Sequence, residues 1–358
     1  FHVTGVQTCA LPISRYMRFK AVDNHYRHTP EFPEFEFRFI KENSTRLAAL
    51  LSREIQIAAL PFEATSQAEK SGMKVIRGRG PVQTQTWVQF YGPWANVRVF
   101  ADEQLNADPN AKYVYPNTPL LDVRVRKALS KAINRDEMNK AFFQGKGDPI
   151  FNLFFHPSRP GWNAEWEKRF KDEYGYDPEA AKKLLAEAGY GPGNPLKHTL
   201  LLKSYGYYPE LSDMTDSIMN YWRNIGVEVT LDQSDAAIQA TKARQLTYDN
   251  HSYLVPSSVR QFYGYGIYQS GTTGGRAGAE FIETRDFFQN KLRPALDDTN
   301  WDALWRELGN MTYDAHQAIP LFLLPAQAVV DPTVVSDYQF SGTLTGTYTN
   351  VEYIKPAK

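Results

Sequence analysis

The sequence predicts a mixed α/β protein built as two lobes. Strand-like alternation and helix-like apolar spacing succeed one another along most of the chain. The length, 358 residues, exceeds the size at which a single hydrophobic core usually stops growing. Charge bounds the class further: Lys+Arg and Asp+Glu each number 40, so no net charge draws the chain to nucleic acid or to an anionic membrane. Mean hydropathy is −0.49. The longest apolar stretch, Ala318 to Val330, is broken by Pro320, Pro325 and Gln327 and is too short to span a bilayer.

Residues 1–14 stand apart from the rest. The run Val3-Thr4-Gly5-Val6-Gln7-Thr8-Cys9-Ala10-Leu11-Pro12-Ile13 matches the in-frame translation of a sequencing-adapter oligonucleotide. A secretory leader is the rival reading, but no basic segment precedes the run, and Gln7 and Pro12 interrupt it. A non-native stub is therefore expected over 1–14. Cys9 is the only cysteine, so the remaining chain has none, which suits an exported protein and many cytosolic ones alike.

From Arg15 the elements follow in order. Glu34 to Ile40 sets Phe35, Phe37 and Phe39 against Glu34, Glu36 and Arg38, the pattern of a half-buried strand. Ser44 can cap a helix bearing Leu47, Leu50 and Leu51, with a strand at Ile55/Ile57 behind it. Thr84 to Tyr91 is rich in β-formers and stops at Gly92-Pro93, and the polar stretch Ala101 to Pro116 reads as a surface excursion. Asp122 can cap a helix whose Val125, Ala128, Leu129 and Ala132 share one face. Asn134-Arg135-Asp136-Glu137 restarts a helix that Gly145 closes. Asp177-Pro178-Glu179 opens another, which runs to Gly189. Met214 to Ile225 predicts an amphipathic helix, followed by a strand through Val227, Val229 and Leu231. Trp301, Leu304, Trp305, Leu308 and Met311 mark a last helix, and Ile319 to Leu324 a buried strand.

Several of these segments carry a family resemblance. Ala21-Val22-Asp23-Asn24-His25-Tyr26-Arg27 and the later Leu47 to Ile57 resemble paired segments of the peptide/nickel-type solute-binding proteins of ABC transporters. Pro119-Leu120-Leu121-Asp122-Val123-Arg124-Val125-Arg126-Lys127-Ala128-Leu129 through Glu137 is similar to that family's most recognisable signature. Tyr176 to Tyr190, Trp222 to Val229 and Ile319-Pro320-Leu321 stand in the family's order. Arg53 and Gln56 depart from the family's usual Gly and Asp, and Tyr248 to Tyr263 lacks the Trp-x-x-Asp-Tyr-x-Asp-Pro type of segment that peptide-binding members carry.

The resemblance implies a two-lobed periplasmic-binding-protein-like fold (type II, cluster C-like) with an incomplete first lobe. Its lobes would be 15–120 with 319–358, and a ligand-closing 121–318, hinged near the two crossings. It implies an extracytoplasmic protein in the periplasm or at the outer face of the cytoplasmic membrane. Such a protein would be a monomer that captures a small solute or peptide and delivers it to ABC permease subunits, without nucleic acid or cofactor. A transport-independent receptor or chaperone on the same fold stays open, and a secreted α/β hydrolase less so.

No catalytic or metal-binding pattern competes with binding. The histidines are scattered, the Gly271-Thr272-Thr273-Gly274-Gly275-Arg276 stretch lacks the ending of a phosphate loop, and no Gly-x-Ser-x-Gly elbow occurs. The informative residues are aromatic. Trp87, Tyr91 and Trp94 cluster at a strand end of the first lobe, and Tyr253 and Tyr263 in the second, with Arg260 among them. Core packing accounts for such rings equally well. As ligand-binding residues they would line a cleft, with Arg260 as a directional donor. Arg260, where peptide binders are expected to hold an acid against the amino terminus, favours a saccharide or an anionic solute over a free-amine peptide.

Overall fold

The computed structural model describes residues 16–77, 83–203, 208, 210–258, 261–270, 277–295, 299–325, 327–339 and 350–358. Residues 1–14 with Cys9, the Gly271 to Arg276 stretch and Arg260 lie outside the described residues. The chain forms two compact units: Phe1–Arg79 with Gln327–Ser341 and Gly346–Lys358, and Gly80–Ala326 with Gly342–Thr345.

The first unit opens with the antiparallel pair β1 (Tyr16–Lys20) and β2 (Glu34–Arg38). Glu36 accepts from Arg18 at 2.6 Å and from Arg38 at 2.7 Å. The strand ends at Arg38, so Phe39 is exposed instead of joining Phe35 and Phe37. Helix α1 (Asn43–Leu51) begins after Glu42, with Ser44 inside the helix and no side-chain cap. Then come β3 (Ile57–Ala58), α2 (Phe62–Lys70) and β4 (Lys74–Arg77). The chain returns here late, as β11 (Gln327–Val330), β12 (Val335–Tyr338) and β13 (Ile354–Pro356). Strand β11 lies between β3 and β4 and works by simple alternation. Val329 packs with Leu47, Leu50, Leu60 and Met73, while Ala328 and Val330 pack with Ile76, Val335 and Tyr338.

The second unit is an α/β body around a six-stranded sheet. Its strands are β5 (Gln83–Tyr91), β6 (Asp148–Pro149), β7 (Lys197–Leu201), β8 (Glu228–Asp232), β9 (His251–Ser258) and β10 (Ala318–Pro325), in the order β6-β10-β5-β9-β7-β8. Strands β7, β8 and β9 run parallel, and β5 and β10 oppose their neighbours. Boundaries near 120 and 318 were expected. The structure instead packs 83–91 and 318–325 with residues 121–318, because β5 pairs along its length with β9 and with β10.

The helix starts follow the expected chemistry. Asp122 accepts the Arg124 amide ahead of α3 (Val123–Lys131), and Asn134 accepts the Glu137 amide ahead of α4 (Arg135–Phe143). Gly145 closes α4 at φ 74°, a left-handed conformation that glycine adopts without strain. Helix α5 (Glu165–Tyr174) precedes α6 (Pro178–Glu187), where Asp177 accepts the Ala180 amide. Helix α7 (Leu211–Asn224) starts before the predicted Met214, its first turn burying Leu211. The remaining helices are α8 (Ala236–Arg244), α9 (Gln261–Tyr268), α10 (Ile282–Phe287) and α11 (Trp301–Asp314).

Helices cover both faces of the sheet. On one, Trp222 of α7 stands edge-on to His198 of β7 at 5.1 Å. On the other, Tyr268 of α9 stands edge-on to Trp87 of β5, also at 5.1 Å. Gly309 lets α11 approach α5: a Cβ there would lie 2.4 Å from the Trp166 ring.

The signature segment explains its own arginines. Arg126 is 4% exposed; its guanidinium donates to the Ala315 carbonyl at 2.6 and 2.9 Å and to the Leu120 carbonyl at 2.6 Å. Arg135 donates to the Pro320 and Tyr174 carbonyls, each at 2.8 Å. Burial pushes both guanidinium pKa values down to about 10. These arginines staple loops by satisfying backbone carbonyls.

Candidate functional site: an aromatic sheet face beside a half-buried lysine

Strand alternation decides which rings meet. Trp87, Gln89 and Tyr91 share one face of β5, and the register sets Gln89 opposite Tyr253 and Trp87 opposite Val255 on β9. The two aromatic groups expected on separate lobes thus lie on paired strands of one sheet. Tyr91 stacks on Tyr253 at 4.9 Å and on Tyr248 at 5.3 Å, and meets Trp94 edge-on at 5.6 Å. Trp87 lies further along the face, between Phe154 at 5.5 Å and Tyr268.

All four described candidates are buried: Trp87 and Trp94 at 0% exposure, Tyr91 and Tyr253 at 2%. Their polar atoms are used internally. Trp87 Nε1 donates to Gln89 Oε1 at 2.9 Å, Trp94 Nε1 to the Gly278 carbonyl at 3.1 Å, and the Tyr253 hydroxyl to the Ala277 carbonyl. The packing role of these rings is therefore plain. The side chain of Tyr263, on α9, and all of Arg260 are outside the described residues.

One residue at this face was not singled out from the sequence. Lys203 follows β7 by two residues and sets its ammonium 3.6 Å from the centroid of the Tyr253 ring and 5.8 Å from that of Tyr91. It is half-buried, and burial pushes its pKa down to about 8. Among the described residues no carboxylate pairs with it. The nearby Asp232 instead faces Lys242 at 3.5 Å. A sequence signal existed: Lys203 is the cation ending the apolar run Leu200-Leu201-Leu202.

A groove of about 1120 Å³ runs past α4 and α5, with Lys131, Lys140 and Lys171 offset by Glu137, Glu167 and Asp172. Among the described residues, no group of three or more His, Cys, Asp or Glu is arranged to hold a metal, and no helix is long and apolar enough to cross a membrane.

The six-stranded mixed sheet, covered by helices on both faces, makes this an α/β protein. A family model for bacterial extracellular solute-binding proteins, family 5 (middle), matches residues 12–272, and the chain belongs to this family. The dipeptide-binding protein of Escherichia coli (strain K12) is 28% identical over 215 residues, which cover 60% of this chain and 35% of the relative. The periplasmic binding protein DppA of Helicobacter pylori, in complex with the peptide STSA, superposes with a TM-score of 0.72 at 18% identity, covering 96% of this chain and 61% of that one. NikA of Brucella suis, in complex with Fe(III)-EDTA, gives 0.69 at 16% identity, covering 97% and 66%. The chain thus spans less than two-thirds of the length of these relatives. The structural likenesses establish the fold.

Proposed function

We propose that this chain belongs to the solute-capturing component of an ABC importer. It works outside the cytoplasmic membrane, in the periplasm or at the membrane's outer face, and hands its solute to permease subunits. The observation that carries this reading is the family match over residues 12–272. A monomeric state and the absence of catalysis belong to the same proposal. The relatives named for dipeptide, for peptide STSA and for Fe(III)-EDTA support a fold that accepts chemically different solutes.

The test is uptake. Cells lacking the gene should lose accumulation of a radiolabelled solute that the purified protein binds, and regain it when the gene is restored. Unchanged uptake despite binding by the purified protein would favour a transport-independent receptor on the same fold.

A further inference from the structure

We infer that the second unit holds one structural water in its interior, which donates to the side-chain oxygens of Gln269 and Gln317 and accepts from the Tyr265 hydroxyl. This water is independent of the captured solute.

Neighbouring groups fix which way both glutamine amides point. The Trp87 indole only donates, so the Gln89 atom it meets at 2.9 Å is the oxygen. Gln269 reaches that same oxygen at 3.2 Å and must do so with its Nε2, which leaves its Oε1 as an acceptor. On the other side, the Thr284 hydroxyl donates to the Phe281 carbonyl at 3.1 Å, so its oxygen accepts from Gln317 Nε2 at 2.6 Å. Gln317 Oε1 is then an acceptor as well. Neither Oε1 has a hydrogen-bond partner among the described residues. The Tyr265 hydroxyl faces Thr284, whose proton already goes to Phe281, and it too makes no hydrogen bond of good geometry among the described residues.

All three groups are deeply buried: Tyr265 is 1% exposed and both glutamines 2%. Open acceptors at this depth carry a desolvation cost that only a donor removes. The three side chains line one cavity of about 10 Å³, with Asn152, Phe154 and Thr312 in its wall. That space admits a single water. Two acceptors and one hydroxyl match its two protons and one lone pair, and about three hydrogen bonds are usual for a buried water. None of the cavity's described lining residues is charged, so a neutral ligand suits it where an ion would lack a counter-charge. Tyr265 belongs to α9, Gln269 follows that helix, and Gln317 precedes β10, so the water ties α9 to the entry of β10.

The test is a crystal structure of the chain, with NMR relaxation dispersion of the solvent as a second readout. The wild type should show one density peak within about 3 Å of Gln269 Oε1, Gln317 Oε1 and the Tyr265 hydroxyl. The double variant Gln269→Met/Gln317→Met, which keeps chain length and removes both acceptors, should lose that peak and one long-lived water. Tyr265→Phe removes only the hydroxyl. It should keep the peak and exchange this water about five- to tenfold faster, as the loss of one hydrogen bond implies. An empty site in the wild type beside other ordered internal waters overturns the inference. So does a Tyr265 hydroxyl that donates directly to either glutamine across a closed cavity, or an equal number of long-lived waters in the wild type and the double variant. Should the double variant fail to fold, the Tyr265→Phe exchange rate decides, and a rate equal to that of the wild type overturns the assignment.

Discussion

His198 Nε2 lies 2.8 Å from Ser252 Oγ, across the neighbouring parallel strands β7 and β9, while its Nδ1 lies 2.8 Å from Asn250 Oδ1. The amide oxygen only accepts, so Nδ1 carries the proton and Nε2 accepts from the serine hydroxyl. A neutral ring therefore satisfies both contacts. Burial, foremost, lowers its pKa from 6.5 to about 4. The unfolded chain then binds a proton that the folded one refuses between these values, so stability should fall as pH drops from 6.5 to about 4. The steepest slope from this one group is about 1.4 kcal/mol per pH unit. His316, lowered to about 3, acts in the same direction. The check is the His198 Cε1 proton resonance, which should not titrate above pH 5; a midpoint near 6.5 would contradict it.

Replacing Arg126 by methionine should destabilise the second unit by about 2–4 kcal/mol, because the Leu120 and Ala315 carbonyls lose their buried donors. All seven tryptophans lie between residues 87 and 305. Urea denaturation followed by tryptophan fluorescence thus reports this unit alone. A loss under 0.5 kcal/mol, the usual scale of an exposed substitution, would remove the stapling role.

The contact between α5 and α11 predicts the cost of a single methyl. In Gly309→Ala the new Cβ would meet the Trp166 ring at 2.4 Å and the Phe155 ring at 2.8 Å. Overpacking of this kind should cost about 1–3 kcal/mol despite the better helix propensity of alanine. The same fluorescence transition measures it, and a neutral or stabilised variant would show that the helices separate freely.

Tyr91 distinguishes packing from recognition. At 2% exposure, stacked on Tyr248 and Tyr253, it should cost about 3–5 kcal/mol when cut to alanine. Any loss of solute binding in Tyr91→Ala would then arrive with a loss of stability.

Helix starts were legible because their signals are local. Asp122, Asn134 and Asp177 each accept an amide two or three residues on, as their spacing implied. Ser44 misled because Glu42 already precedes a helix that needs no side-chain cap. Strand β9 was harder to see, since Pro256 argues against a central strand. Its pairing with β7 stops at Tyr253, so Pro256 sits where β9 is paired on the β5 edge alone among the described residues. The aromatic candidates were legible as a cluster but not as a core. Sequence shows that rings recur, whereas their burial depends on β5 and β9 pairing across 160 or more positions of chain. Lys203 escaped for the converse reason: its seat on the Tyr253 ring depends on β7 and β9 lying side by side, which only the fold reveals.

Solute capture itself is tested most directly by isothermal titration calorimetry of the folded chain against peptides, oligosaccharides and small organic acids. Saturable binding at one site per chain by at least one class is the expected result. Absence of heat from every class, with the tryptophan-reported fold intact, would contradict it.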